Sequence, residues 1–208
     1  MISDSRRKML IMGFGGHARS VADVALACGY EDLVFVDAKA KPGENFLGYP
    51  VLKDTKGLDD SWRLAFAASG DGLQRLKQYK MIDELGMGLV SLVSPLASIG
   101  VGCVIGSGCF VGHHAHIGPL ARIGPGCIVN TGALVEHESC VGEFSHVSVN
   151  STVAGRSKLG SFSLIGAGAT IIDGISTVDY VIIGAGAVVV NCIEFSGTYV
   201  GVPARRLN

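Results

Sequence analysis

One residue in six limits what this chain can fold into. Counting from Ile99, the positions Ile99, Ile105, Val111, Ile117, Ile123, Val129, Val135, Val141, Val147, Val153, Leu159, Ile165, Ile171, Thr177, Ile183, Val189 and Phe195 form a column that only Thr177 interrupts. Two places before each anchor stands mostly Ala, Cys or Ser, with larger residues at Ile175, Val181 and Ile193, and Gly often follows the anchor. A period of six is not helical. Because six is even, a strand keeps its inward face from unit to unit, while a turn in each unit rotates the chain. This is the grammar of a parallel β-helix built from hexapeptides, each unit burying its apolar residue only by stacking on the next. The register runs unbroken from 99 to 195, so no long loop is expected between coils.

Before the repeat the grammar changes. Lys8 to Met12 reads as a strand, GFGGHARSVADVALACGY as a glycine turn and amphipathic helix, and Leu33 to Ala38 as a second strand. Residues 41–50 read as a turn-rich loop, Arg63 to Asp71 as strand then loop, LQRLKQYKMIDELG as a helix, and residues 88–93 as one more strand. Alternating β and α predict a small parallel sheet with helices. Ser94-Pro95 marks the junction, giving two domains, 1–94 and 95–208.

Composition narrows the function classes. With 48% hydrophobic and 17% charged residues, the 208-residue chain can bury a core; 7% aromatics and 30 glycines suit thin repetitive packing and tight turns. A net charge of -1 without a basic stripe argues against nucleic acid as a partner. No apolar stretch is long enough to span a membrane, and MISDSRRKMLIMGFGG is a poor signal peptide. The six cysteines form no CxxC pair, which fits reduced thiols in a cytoplasmic protein.

Two stretches carry candidate chemistry. Gly13-Phe14-Gly15-Gly16-His17-Ala18 fits GxGxx(G/A) after a strand and before a helix, and Asp37 follows at the end of the next strand. Glycines let a phosphate approach backbone N–H groups at a helix N-terminus, and an acid at the second strand accepts from hydroxyls. The domain has room for one βαβαβ half, which suits one nucleotide or a nucleotide-linked sugar; the competing reading is a plain tight turn. In NTGALVEHESCVGEFSHVSVN, His137 stands at a corner position of its hexad beside Glu138. If three hexads make a coil, Gly155 stacks over it. An imidazole there can act as a general base, its tautomer set by Glu138; the alternative is a surface histidine beside a charge. His113, His114 and His116 lack the spacing of a structural zinc site, so no metal is expected. Cys140 reads as structural rather than nucleophilic, and no Ser-His-Asp set can be assembled from the order of residues.

GFGGHA, VNTGALVEHESCVGEFSHVSVNSTVAG and GTYVGVPARRL together make the chain resemble the PglD/NeuD-like hexapeptide-repeat sugar acetyltransferases. The resemblance implies an α/β Rossmann-like subdomain followed by a left-handed parallel β-helix. It implies a homotrimer with sites between adjacent β-helices, acetyl-CoA as co-substrate, and a nucleotide-linked amino sugar acetylated at carbon 4. It makes His137 the base, with Glu138 its neighbour, and places His146 at the thioester end. Gly155 becomes the N–H donor to the acetyl carbonyl, and Ala167, Ala185 and Arg205 lie along the cofactor. Gly13, Gly16, His17, Asp37 and Asn130 go to the nucleotide sugar. The chain departs from the family at Phe14, where a small residue is usual, and at Asp37-Ala38, where some members carry paired acids. Outside this reading stand an O-acetyltransferase of a sialic-acid-like sugar, a binding module on a β-helix scaffold, and a nicotinamide oxidoreductase.

Overall fold

The computed structural model describes residues 7–207; the first six residues of the stretch weighed as a signal peptide lie outside it. A six-stranded sheet comes first. Its strands are β1 (Lys8–Met12), β2 (Asp32–Val36), β3 (Asn45–Phe46), β4 (Tyr49–Leu52), β5 (Leu64–Ala67) and β6 (Gly88–Leu89), in the order β3-β4-β2-β1-β5-β6. All pairs are parallel except β3 with β4. Helix α1 (Gly16–Ala27) covers one face and α2 (Gly72–Glu84) the other. Along β1 the side chains alternate between them: Met9 and Ile11 pack with Val21 and Ala25 of α1, Leu10 and Met12 with Ile82 of α2. A strand covered on both faces has no polar side to show, hence the unbroken apolar run of β1.

Three local readings change. The turn-rich loop at 41–50 holds a hairpin, because Leu47 and Gly48 both adopt positive φ (53° and 90°), the geometry of a tight two-residue turn. The second strand stops at Val36. Asp37 leaves it because its carboxylate accepts from the N–H of Lys39, two residues on, and so closes a turn. The stretch 88–93 splits: Gly88–Leu89 pairs with β5, whereas Leu92–Val93 pairs with Phe110–Val111 in the following structure.

That structure is a parallel β-helix of three faces with an 18-residue coil. Leu92–Val93, Phe110–Val111, Ile128–Val129, His146–Val147 and Leu164–Ile165 stack on the first face. Ser98–Ile99, His116–Ile117, Leu134–Val135, Thr152–Val153, Thr170–Ile171 and Val188–Val189 stack on the second. Val104–Ile105, Arg122–Ile123, Cys140–Val141 and Lys158–Leu159 form the third. The anchors from Val111 to Ile171 are all buried. At the corners a residue with φ near 60° recurs every sixth position, from Gly102 to Gly186. It is glycine at some corners and His114, Leu120, Glu138, Phe144, Asn150, Arg156, Phe162 or Tyr180 at others. A non-glycine residue there costs on the order of 1 kcal/mol, so those eight side chains sit against local preference. The small residues before the anchors include buried serines, most of whose hydroxyls bond the next coil: Ser139 Oγ donates to Ala154 O (2.8 Å) and accepts from Ser157 N (3.2 Å).

The register does slip at the end. Thr177 bridges Ile193, and Val181 pairs with Gly197, so the last coil is shorter than those before it. Ile193 takes the inward place, and Phe195, assigned to the column from its spacing, is 66% exposed. The outward row of the first face locks the two parts together. Leu92, Phe110 and Ile128 are buried in the same core as α1. His146 is the next residue in that row, where the cover ends.

Candidate active site

At the corner between the second and third faces, Glu138 adopts φ 59° and turns the chain, leaving the His137 ring on the outside. Its Nδ1 lies 3.2 Å from Glu138 Oε2, and both side chains are about half exposed. One coil on stands Gly155. A Cβ there would lie 2.5 Å from both Cε1 and Nε2 of His137, and 2.9 Å from Asp173 Oδ1 on the following coil. Glycine is needed because the imidazole lies across its α-carbon. Gly155 N–H donates to no protein group among the described residues, as is also true of His137 and Asp173 in the same register of the adjoining coils, whereas Ala154 N bonds Ile171 O and Arg156 N bonds His137 O. A ligand carbonyl would give the Gly155 donor an acceptor. A carboxylate on Nδ1 makes that nitrogen the donor and leaves Nε2 with a free lone pair.

A second group gathers where the glycine loop meets the first face. Gly13 holds φ 102°. The Asp37 carboxylate accepts from Phe14 N (2.9 Å), clamping the loop to the end of β2. The Phe14 ring turns away to pack on Phe35, with the Arg19 guanidinium above it. Helix α1 starts at Gly16 with no side-chain cap, and a Cβ on Gly15 or Gly16 would meet nothing within 4 Å. No side chain caps its first N–H groups, and Gly15, Gly16 and His17 line a cavity there, which leaves the helix start available to an anion. Gly13, Gly16, His17 and Asp37 line one cavity of about 370 Å³. His17 Nε2 is buried with no partner. Its ring lies 6.0 Å from that of His146, whose Nε2 is 3.2 Å from Asn130 Nδ2. Burial, then mutual repulsion with His146 and Arg75, pushes the His17 pKa down to about 3. Burial and then Arg75 push that of His146 down to about 4. Both rings are neutral at neutral pH.

The remaining residues stand elsewhere. Ala167 and Ala185 are exposed at the corner between the first and second faces, stacked one coil apart. Arg205 lies at the far end beside a cavity of about 200 Å³. One chain therefore brings together Gly13, Gly16, His17, Asp37, Asn130 and His146, and separately His137, Glu138 and Gly155. The two groups stand on different sides of the β-helix.

The structure also assembles a contact that residue order concealed. His113 Nδ1 is 2.7 Å from Ser94 Oγ, and its Nε2 is 3.1 Å from Asp23 Oδ2. This Ser-His-Asp set ties α1 to the β-helix. Ser94 is 2% exposed and already accepts from Leu96 N, so no substrate reaches it. His116 meets Ser98, and among the described residues no three metal-ligating side chains converge. Arg75 and Gln78 were missed. Arg75 is fully buried between the domains, and Gln78 lines the loop cavity. Arg75, Tyr79 and Ile82 recur at helical spacing, so an arginine in the apolar stripe of α2 was the available signal.

Comparison with known proteins identifies the fold and the family. A family model described as the PglD N-terminal domain matches residues 8–82. The acetyltransferase domain of PglB from Neisseria gonorrhoeae, also solved with acetyl coenzyme A, is 31% identical. It superposes with a TM-score of 0.90 over 97% of this chain and 100% of that one. PerB from Caulobacter crescentus, solved with CoA and GDP-perosamine, is 30% identical with a TM-score of 0.86 over 97% of each chain. WeeI from Acinetobacter baumannii, 21% identical with a TM-score of 0.64 over 97% of this chain and 100% of that one, shares the fold. A glycine-loop domain followed by a left-handed β-helix, matched from end to end at this identity, means that the chain belongs to the PglD-like hexapeptide-repeat sugar acetyltransferases.

Proposed function

We propose that this protein transfers the acetyl group of acetyl-CoA to the carbon-4 amine of a nucleotide-linked amino-deoxysugar, directly and with His137 as general base. The observation that carries the reading is the His137 corner: an imidazole oriented by Glu138 and seated over Gly155, whose N–H has no protein acceptor. Similarity to proteins solved with acetyl coenzyme A and with GDP-perosamine supports both substrates. As the amine attacks the thioester carbon, His137 Nε2 takes the proton the nitrogen loses. The Gly155 N–H stabilises the oxyanion. When the C–S bond breaks, the imidazolium returns the proton to the leaving thiolate. Cys140 has no part in a direct transfer.

The sheet-and-helix domain, which ends before Leu92, holds the nucleotide sugar in this reading: the diphosphate against the start of α1, hydroxyls on Asp37, and His17 Nε2 toward the ligand. Residues 95–208 carry the transfer. His146 meets the thioester end, Asn130 lines the acceptor side, and Ala167, Ala185 and Arg205 follow the cofactor arm. Because the His137 corner and the His146 pocket lie on different sides of one chain, a complete site is formed between neighbouring copies of a homotrimer. Six free thiols suit a cytoplasmic enzyme.

The test is release of free CoA from acetyl-CoA with UDP-, GDP- and dTDP-linked 4-amino sugars, for wild type, His137→Ala and Cys140→Ala, with folding checked. Turnover on one of them should fall by about 10²–10⁴ in His137→Ala and persist in Cys140→Ala. No turnover on any amine, with acetyl-CoA bound, would reject the reading and direct attention to hydroxyl acceptors such as sialic acids.

A further inference from the structure

We infer that Arg75 is a positioning residue for this site: its guanidinium fixes the Ser69–Gly70 loop and the strand bearing His146 in one frame, so that the acceptor pocket is built jointly by both domains. The inference rests on the acetyl-transfer reading above.

Arg75 is 0% exposed. It donates to five carbonyls and to no carboxylate among the described residues. Two are on the loop that enters α2, Ser69 O (2.7 Å) and Gly70 O (3.0 Å). Three are on the β-helix, Gly126 O (2.6 Å), Phe144 O (2.6 Å) and Ser145 O (3.3 Å). Ser145 directly precedes His146, and the Gly70 backbone is near enough to the His146 ring to oppose the lowering of its pKa. Ser69 N is held from the other side by Gln78 Oε1 (2.9 Å). One planar fork therefore spans both walls of the space that holds His17, His146 and Asn130. A lysine has the charge but not the fork, and one ammonium cannot reach carbonyls spread around a plane.

An apolar side chain in place of Arg75 would leave five carbonyls without their donor, so the group also stabilises the fold, and its positioning role has to be read from quantities that stability alone does not move. Burial lowers the Arg75 pKa to about 10, with Cys127, Asp71 and Cys109 opposing it, so the group is still a cation at neutral pH. That cation helps keep both neighbouring imidazoles neutral. They then meet a ligand as hydrogen-bonding groups and do not repel an incoming ammonium.

The experiment compares wild type with Arg75→Lys, which keeps charge without the fork, and Arg75→Gln, which loses both. Three quantities are read: KM for the nucleotide sugar, Kd for CoA, and the His146 titration with amide exchange at Ser69 and Gly70 by NMR. The expected result is a rise of about tenfold to a hundredfold in acceptor KM in both variants, with binding of CoA, which lacks the acetyl group that His146 meets, unchanged. Ser69 and Gly70 should exchange faster in both, and His146 should titrate higher in Arg75→Gln. Unchanged acceptor KM in the folded variants, equal losses in acceptor and CoA binding, or failure of both variants to fold would each overturn the inference. If wild type acetylates no nucleotide sugar, the acetyl-transfer reading fails separately, while the titration and exchange still report on the frame.

Discussion

At the scale of single residues, the proposed site depends on what Gly155 lacks. Its backbone is not in the left-handed region, so alanine is tolerable there as far as φ is concerned. The obstacle is spatial, since the added methyl would overlap the His137 ring at 2.5 Å. The ring must then swing off the coil, away from the donor it faces. Gly155→Ala should leave thermal unfolding within a few degrees of wild type while the rate of acetyl transfer falls about a hundredfold, the cost of a small misplacement of a catalytic group. Steady-state kinetics beside a melting curve checks this. A variant that turns over normally would mean that the ring does not work from its place above Gly155.

At the scale of elements, α1 with its glycine loop and the first face of the β-helix enclose two imidazoles that stay neutral when folded. Their folded pKa values, about 3 for His17 and about 4 for His146, lie below the unfolded value of 6.5. Above pH 6.5 neither state binds a proton and stability is full. As pH falls below 6.5 the unfolded chain takes up protons that the folded chain refuses until pH 4. Stability should therefore fall by at most roughly 1.4 kcal/mol per pH unit for each histidine. Urea midpoints at pH 7.5, 6 and 5 should show this slope, and His146→Gln should reduce it by half. A slope unaltered by that substitution would remove His146 from the account. This chemistry was only partly legible in the sequence. The hexad column gave the coils because a period of six needs only the identity of anchors, and the glycine loop was legible because its strand and helix flank it directly. Arg75 and the His113 set were not, since the β-helix partners of Arg75 lie 51 to 70 residues away and the partners of His113 lie 19 and 90 residues away. Only the fold decides which coil a helix lies against. Phe195 misled because spacing cannot register a shortened coil when a neighbouring apolar residue, Ile193, is there to replace the anchor.

At the scale of the whole molecule, one chain holds the two halves of the proposed site apart. His137 stands at the corner between the second and third faces, whereas His146 and Asn130 stand on the first face under the glycine-loop domain. A site that needs a base from one group and a pocket from the other must draw on two copies. This is testable without a structure of the assembly. His137→Ala damages one side of every shared site and His146→Ala the other, so each variant alone should be nearly inactive. When both are co-expressed at equal levels and assemble at random in a cyclic trimer, about a quarter of the shared sites pair an intact His137 corner with an intact His146 pocket. Recovery of about that fraction of wild-type turnover is the expected outcome, with a trimeric mass in solution. If both residues instead served a site within one chain, no mixture would recover activity, because every chain would carry one damaged residue. Activity that stays at the level of the separate variants, in trimers verified to be mixed, would therefore exclude the shared site.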